Sequence, residues 1–171
     1  GIDPKMVEMI LNEVVDASPG IGWEAIAGLG FAKQSVREIT VWPLLRPDIF
    51  TGQRRPPKGL LLFGPPGTGK TLIAKAVASQ CALAFLSVKG PELVSKWQGE
   101  SERAVRVIFD RARKLAPCVL FFDEFDSIGM DRTSIGEGYS GMSSIVNQLL
   151  TEFDGMESRD GVTHVIAGTL E

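Results

Sequence analysis

The sequence predicts an α/β fold, a three-layer sandwich around a mainly parallel sheet, and two observations lead to it. Short apolar runs are typical of strands covered on both faces of a sheet. Two such runs, at 59–63 and 118–122, are unbroken, and the mainly apolar segments 84–88 and 162–167 read as further strands. Segments with helical apolar spacing lie between these runs, which is the alternation that gives parallel strands joined by right-handed crossovers. The 171 residues, 44% of them hydrophobic, suffice for one domain with a real core.

The elements follow from their boundary residues. Pro4 suits a first helical position, and the apolar spacing after it predicts a helix over 4–15. Further helices are expected at about 31–45, 70–80, 101–115 and 143–153. The glycine-rich polar segment 129–141 predicts a mobile loop.

A glycine-rich segment after the first apolar run matches the phosphate-loop pattern G-x-x-x-x-G-K-[ST]. The expected ligand residues are Gly64, Pro65, Pro66, Gly67, Thr68, Gly69, Lys70, Thr71 and Leu72. Glycines let several backbone amides face one anion, and the following helix N-terminus adds partial positive charge. Lys70 would reach the outer phosphates of ATP or ADP, and the Thr71 hydroxyl would ligate Mg²⁺. A chance glycine-rich turn is disfavoured, because a strand precedes the loop and a helix follows it; we expect a P-loop NTPase.

Two carboxylates close the third apolar run. Ligands bind at the carboxyl ends of the strands in open parallel sheets, which predicts that Asp123 and Glu124 lie near the bound phosphates. Asp123 is then a candidate for holding Mg²⁺, through water, and Glu124 for activating the attacking water as a general base. Alone, the pair reads equally well as a solvated acidic turn; the phosphate loop upstream favours the catalytic interpretation.

Composition restricts the partners and the compartment. The net charge of −3 gives no sign of a nucleic-acid partner, and no apolar run reaches the ~18 residues that span a bilayer. The two cysteines, Cys81 and Cys118, have no CxxC spacing and read as reduced residues of an intracellular protein, cytoplasmic or nuclear. We divide the chain into a linker helix within 1–20, a principal domain over 21–169 and a vector-like remnant at 170–171.

Three other features are weaker candidates. The single histidine, His164, lies in an apolar strand and is expected to pack there. Gly28-Leu29-Gly30 follows no strand, so it is expected to form a turn. Trp97, between Lys96 and Gln98, is either a core tryptophan or an exposed gripping residue, and spacing alone leaves both open.

Together these motifs resemble those of the AAA family of ATPases. WEAIAGL at 23–29 is similar to the family's WxDIxGL segment, which implies that Ile26 and Ala27 flank the adenine. Residues 41–71 resemble the fidgetin-like, katanin and spastin branch, whereas 85–128 resemble the peroxisomal and valosin-containing branch. Such a mosaic would fit an engineered or reconstructed sequence.

The resemblance also implies partners. Family members are hexameric rings that unfold polypeptide clients or sever microtubules, and Lys96, Trp97 and Gln98 match their first, client-gripping pore loop. The family's polar sensor after Thr169, its arginine fingers, its fifth core strand and its helical lid have no counterpart, so we expect a truncated domain that hydrolyses ATP very slowly. The strand at 59–63 would then be an exposed sheet edge that promotes self-association.

Three functions therefore compete. The first is the nucleotide-binding subdomain of a protein-remodelling ATPase. The second is a natural or engineered module that holds nucleotide without useful turnover. The third, a small-molecule kinase, is disfavoured because no lid segment of the expected type follows the loop, and because the acidic pair suits water activation.

Overall fold

The computed structural model describes residues 3–16, 20–46, 48–52, 57–97, 99–128, 139–156 and 163–169. Its helices are α1 (Pro4–Val14), α2 (Gly30–Val36), α3 (Trp42–Leu45), α4 (Lys70–Gln80), α5 (Gly90–Ser95), α6 (Ser101–Leu115) and α7 (Tyr139–Asp154). Its strands are β1 (Val15–Asp16), β2 (Gly59–Phe63), β3 (Ala84–Lys89), β4 (Cys118–Asp123) and β5 (Thr163–Thr169). None of the described helices is both long enough and apolar enough to cross a lipid bilayer.

The five strands form one sheet in the order β1-β3-β4-β5-β2. β2, β5, β4 and β3 are mutually parallel, and only β1 runs antiparallel, against β3. The predicted α/β fold with a mainly parallel sheet is therefore confirmed. Because these four strands are parallel, their carboxyl ends meet at one rim of the sheet.

Two apolar clusters cover the two faces of the sheet. The first joins α1, α6 and α7 to the side chains of Cys118, Leu120 and Phe122. The second joins α4 and the segment from Trp23 to Val41 to Val119 and Phe121. Alternate residues of β4 thus point into opposite clusters, as the pleat of a strand requires, and the result is the predicted three-layer arrangement.

The helix predicted at about 31–45 is one continuous helical stretch with an irregular middle. A π-helical turn, Arg37–Val41, joins α2 to α3, and within it the Thr40 hydroxyl donates a hydrogen bond to the carbonyl of Val36 at 2.6 Å. The turn is absent from the prediction because apolar spacing does not distinguish a π turn from an α-helical one. β1, with two residues, is likewise too short to leave a periodic signal.

The loop predicted at 129–141 is partly wrong. Residues 139–141 belong to α7, whose predicted start was 143. The apolar side chains of Ile145 and Leu149 hold α7 against the first cluster. Each residue added to the end of an existing helix gains one backbone hydrogen bond, and this gain outweighs the low helix propensity of the local glycine. Residues 129–138 lie outside the described part of the chain.

Candidate nucleotide-binding site

The phosphate loop connects β2 to α4 at the carboxyl rim of the sheet. Gly67 and Gly69 have φ values of +79° and +92°, a region that side chains with a Cβ rarely enter. Gly69 directly precedes the first residue of α4, so the chain curls and then starts a helix within three residues. The N-terminus of α4 is thereby directed at the space inside the loop.

Lys70 is held by the beginning of the same loop. Its Nζ donates hydrogen bonds to the carbonyl oxygens of Gly64, at 2.6 Å, and Pro65, at 2.9 Å. The Thr68 hydroxyl also donates to the Pro65 carbonyl, at 2.8 Å. Hydrogen bonds from its own side chains to its backbone therefore hold the loop in shape, and the ammonium of Lys70 lies on the inner side of the loop.

A cavity of about 460 Å³ lies between this loop and the ends of the neighbouring strands. Its lining from the loop and α4 is Pro66, Gly67, Thr68, Gly69, Lys70, Thr71 and Leu72. Its lining from β4, β5 and the turn after β4 is Asp123, Glu124, Asp126, Ser127 and Gly168. The structure thus brings the predicted loop and the predicted acidic pair together at one rim.

The acidic pair lies where β4 turns away from the sheet. Asp123 is the last residue of β4, and its Oδ1 accepts a hydrogen bond from the backbone N–H of Glu124 at 3.0 Å. Glu124 is exposed and adopts a left-handed backbone, with φ of +51°. A short 3₁₀ turn, Phe125–Ile128, follows and is fixed by hydrogen bonds from Ser127 back to Glu124.

The segment expected to meet the adenine packs beside the loop. Ile26 is 3% exposed, and its Cγ2 lies 3.9 Å from the point where a Cβ on Gly69 would be. The Lys33 ammonium donates a hydrogen bond to the Ile26 carbonyl, which anchors this segment to α2. Ala27 is exposed and belongs to the same segment.

The other candidates lie away from this cavity. Trp97 is half-buried and packs against the first cluster, while Lys96 is exposed and Gln98 lies outside the described residues. His164 belongs to β5, paired in register with Val119, but its side chain is not described. Gly28 and Leu29 both have positive φ, in agreement with the predicted turn, whereas Gly30, its third predicted residue, already belongs to α2.

Sequence reasoning missed four residues near this site. Asp126, Ser127 and Gly168 line the cavity, and Leu29 Cδ1 lies 4.0 Å from the Cβ position of Gly69. Asp126 and Ser127 could have been found by following the chain beyond the acidic pair, and Gly168 from the shared rim of the parallel strands. No signal in the sequence points to Leu29, since its place depends on how the segment folds back over the loop.

Comparison with known proteins places this site in a family. The model of the ATPase family associated with various cellular activities (AAA) matches residues 60–171. The chain is 52% identical to human fidgetin-like protein 1 over 155 residues, which covers 90% of this chain and 23% of that protein. It is also 52% identical to the cell division cycle protein 48 homolog of Archaeoglobus fulgidus over 169 residues, 98% of this chain and 22% of that protein.

Solved structures give the same result. The FIGL-1 AAA domain in complex with ADP superposes with a TM-score of 0.85 at 42% identity, covering 99% of this chain and 56% of that chain. A structure that explains katanin self-assembly superposes with a TM-score of 0.77 at 31% identity, covering 99% and 54%. The chain spans less than a quarter of the length of these curated relatives. On these matches, the chain belongs to the AAA family of ATPases.

Proposed function

We propose that this chain binds ATP or ADP with Mg²⁺ through residues 64–72, as the nucleotide-binding part of an ATP-hydrolysing ring that remodels protein clients in the cytoplasm or nucleus. One observation carries the proposal: the phosphate loop, Asp123 and Glu124 line a single cavity. The ADP complex of a FIGL-1 AAA domain with the same fold supports it.

Phosphate binding follows from the charges that the loop presents. The backbone amides of the curled loop and the N-terminus of α4 favour an anion, and the helix end alone contributes roughly half a positive charge. Lys70 adds a full positive charge inside the same curve. When a triphosphate binds, its oxygens replace the Gly64 and Pro65 carbonyls as acceptors for Lys70.

The residues at the cavity fit Mg²⁺. Thr71 and Asp123 both line it and offer the hydroxyl and carboxylate oxygens that this ion prefers. The described residues contain no cluster of three or more metal-binding side chains, so the ion would complete its shell with phosphate oxygens and water. Bound there, magnesium would neutralise charge on the phosphates.

Hydrolysis would depend on Glu124, which is exposed at the edge of the cavity and available to accept a proton from water. Among the described residues that line the cavity there is no arginine. Arginine fingers accelerate phosphoryl transfer by about 10³–10⁵-fold, so we expect the isolated chain to turn over far below about 1 s⁻¹. The second candidate function, a module that holds nucleotide without turnover, differs from the first in staying inactive when an arginine is supplied.

The adenine and client contacts are further parts of the proposal. Ile26 and Ala27 would flank the base, because this segment packs on Gly69 at the start of α4. Lys96, Trp97 and Gln98 would form the client-gripping loop; the half-buried Trp97 leaves part of its ring accessible for that contact. The similarity to a katanin structure that concerns self-assembly supports self-association as well.

Calorimetry with a slowly hydrolysed ATP analogue and Mg²⁺ tests the proposed site. Lys70→Ala should weaken binding at least tenfold, whereas Glu124→Gln should bind as the unaltered chain does and abolish the residual hydrolysis. Lys75→Ala is the matched control, since Lys75 lies on the same helix with its ammonium 6.0 Å from the ring of Phe85. Unchanged affinity in Lys70→Ala, or no binding by the unaltered chain at millimolar nucleotide, would refute the proposal.

Rescue of turnover separates the two candidate functions. Addition of a partner subunit that donates an arginine should raise hydrolysis if this chain is part of a remodelling ATPase, and should change nothing if it only holds nucleotide. The Glu124→Gln variant with the same partner is the control, because it retains the phosphate loop and lacks the base.

A further inference from the structure

The backbone of Glu124 is unusual for its residue type. Its φ of +51° lies in the left-handed region, which only three described non-glycine residues enter. In a strand, successive side chains point to opposite faces, so extended backbone would send Asp123 and Glu124 apart. The left-handed turn at Glu124 breaks this alternation, and both residues line the same cavity.

The peptide groups on both sides of Glu124 are hydrogen-bonded. Its N–H donates to Asp123 Oδ1 at 3.0 Å. Its carbonyl accepts from the Ser127 hydroxyl at 2.6 Å and from the Ser127 N–H at 3.1 Å. A residue in a sparsely populated backbone region stays there only when its surroundings hold it, and these three bonds do so.

The turn also rests on the first residue of α5. A Cβ on Gly90 would come within 2.4 Å of the Glu124 carbonyl oxygen and 2.4 Å of Ser127 Oγ, and 3.2 Å of Ile128 Cγ1. Any side chain at position 90 would therefore push against the hydrogen bond that holds Glu124. Gly90 is not one of the described glycines with a positive φ. Position 90 therefore requires glycine because the Glu124 carbonyl approaches so closely, and not because of its own backbone conformation.

We propose that Ser127 and Gly90 are positioning residues that hold Glu124 in its left-handed conformation, and so direct its carboxylate into the phosphate cavity. The inference rests on the proposed function, because it assigns to Glu124 the activation of water. Ser127 acts through the Glu124 carbonyl, and Gly90 acts by leaving room for that carbonyl. Neither residue needs to touch the nucleotide.

Two measurements on the 171-residue chain test this arrangement. The three-bond coupling between the amide and α protons of Glu124 reports its φ, and it is read by NMR without nucleotide. The single-turnover rate of ATP hydrolysis and the affinity for ATP are measured separately. Ser127→Ala should shift the coupling and slow hydrolysis about tenfold with less than twofold change in affinity, and Gly90→Ala should slow it by up to about a hundredfold.

Conservative and matched variants separate positioning from stability. Ser127→Thr keeps the hydroxyl and should restore both coupling and rate. Ser95→Ala removes a hydroxyl that donates to the Pro91 carbonyl at 2.8 Å on α5, and it should leave both unchanged. A wild-type coupling in Ser127→Ala would overturn the proposal, as would a changed coupling with an unchanged rate. If the wild-type chain failed to bind ATP, the proposed function would fall, while the coupling would still decide whether Ser127 and Gly90 hold the turn.

Discussion

β2 and β4 are both unbroken apolar strands, and each ends in one half of the candidate site, yet their surroundings differ. Every residue of β4 from Cys118 to Phe122 is buried. In β2, Leu61 is 54% exposed and Phe63 is 76% exposed. The difference arises from position: β4 lies between β3 and β5, whereas β2 is an edge strand paired only with β5 among the described strands.

The comparison shows that an apolar run indicates side chains that favour burial, but does not indicate whether other elements actually bury them. Leu60 and Leu62 of β2 pack against the second cluster. Leu61 and Phe63 point to the other face, where the described parts of α1, α6 and α7 do not cover them. β2 therefore carries the same sequence signal as β4, although none of its residues is fully buried.

The largest expected effect compares a phenylalanine from each strand. Phe121→Ala should destabilise the fold by about 3–5 kcal/mol, because it removes a fully buried ring that stacks on Phe85 at 6.1 Å. Phe63→Ala, the matched change on β2, should cost less than about 1 kcal/mol, since little of its surface leaves water on folding. Urea unfolding of both variants measures the two free energies, and equal losses would show that β2 is covered in solution.

A charge on the exposed edge should weaken self-association. An edge strand has unpaired backbone groups that another chain can pair with, and Leu61 adds apolar surface beside them. Leu61→Lys should raise the dissociation constant of the self-associated chain at least about tenfold, equivalent to about 1.4 kcal/mol. Leu150→Lys is the control, because Leu150 is 55% exposed on α7. If sedimentation velocity showed that the unaltered chain is a monomer at high concentration, the prediction of self-association through β2 would be wrong.

Much of this fold could be predicted because its signals are local. α4 occupies the predicted 70–80, directly after the phosphate loop, and α6 occupies the predicted 101–115, where the apolar residues fall on one face. The antiparallel β1, the π turn at Arg37–Val41 and the first residues of α7 escaped prediction. Their stability depends on what they pack against, which no local pattern encodes.

The site divides in the same way. The residue types at 64–71 and at Asp123-Glu124 have a known chemistry, so the sequence sufficed to predict that these segments would meet. The roles of Ser127 and Gly90 depend on the position of the Glu124 carbonyl, which is set by the left-handed backbone conformation of Glu124. Ser127 is only three positions from Glu124, but Gly90 is 34 or more positions from both, and only the folded backbone shows that these residues meet.

The smallest expected effect compares the two thiols, one on each side of the molecule. Cys81 follows α4 and is half-buried, whereas Cys118 begins β4 and is fully buried. Partial burial raises the pKa of the Cys81 thiol, because desolvation disfavours the thiolate. The folded chain therefore binds the thiol proton of Cys81 more tightly than the unfolded chain does. Its contribution to the free energy of unfolding is fully present below the pKa of the unfolded chain, and it is lost as the pH rises through the pKa of the folded chain.

Iodoacetamide should modify Cys81 several times more slowly than a free thiol at pH 8, and Cys118 only after unfolding. Mass spectrometry of the labelled chain, with Cys81→Ser as control, measures both; equal rates for the two thiols would mean that β4 opens to solvent as readily as the segment that follows α4.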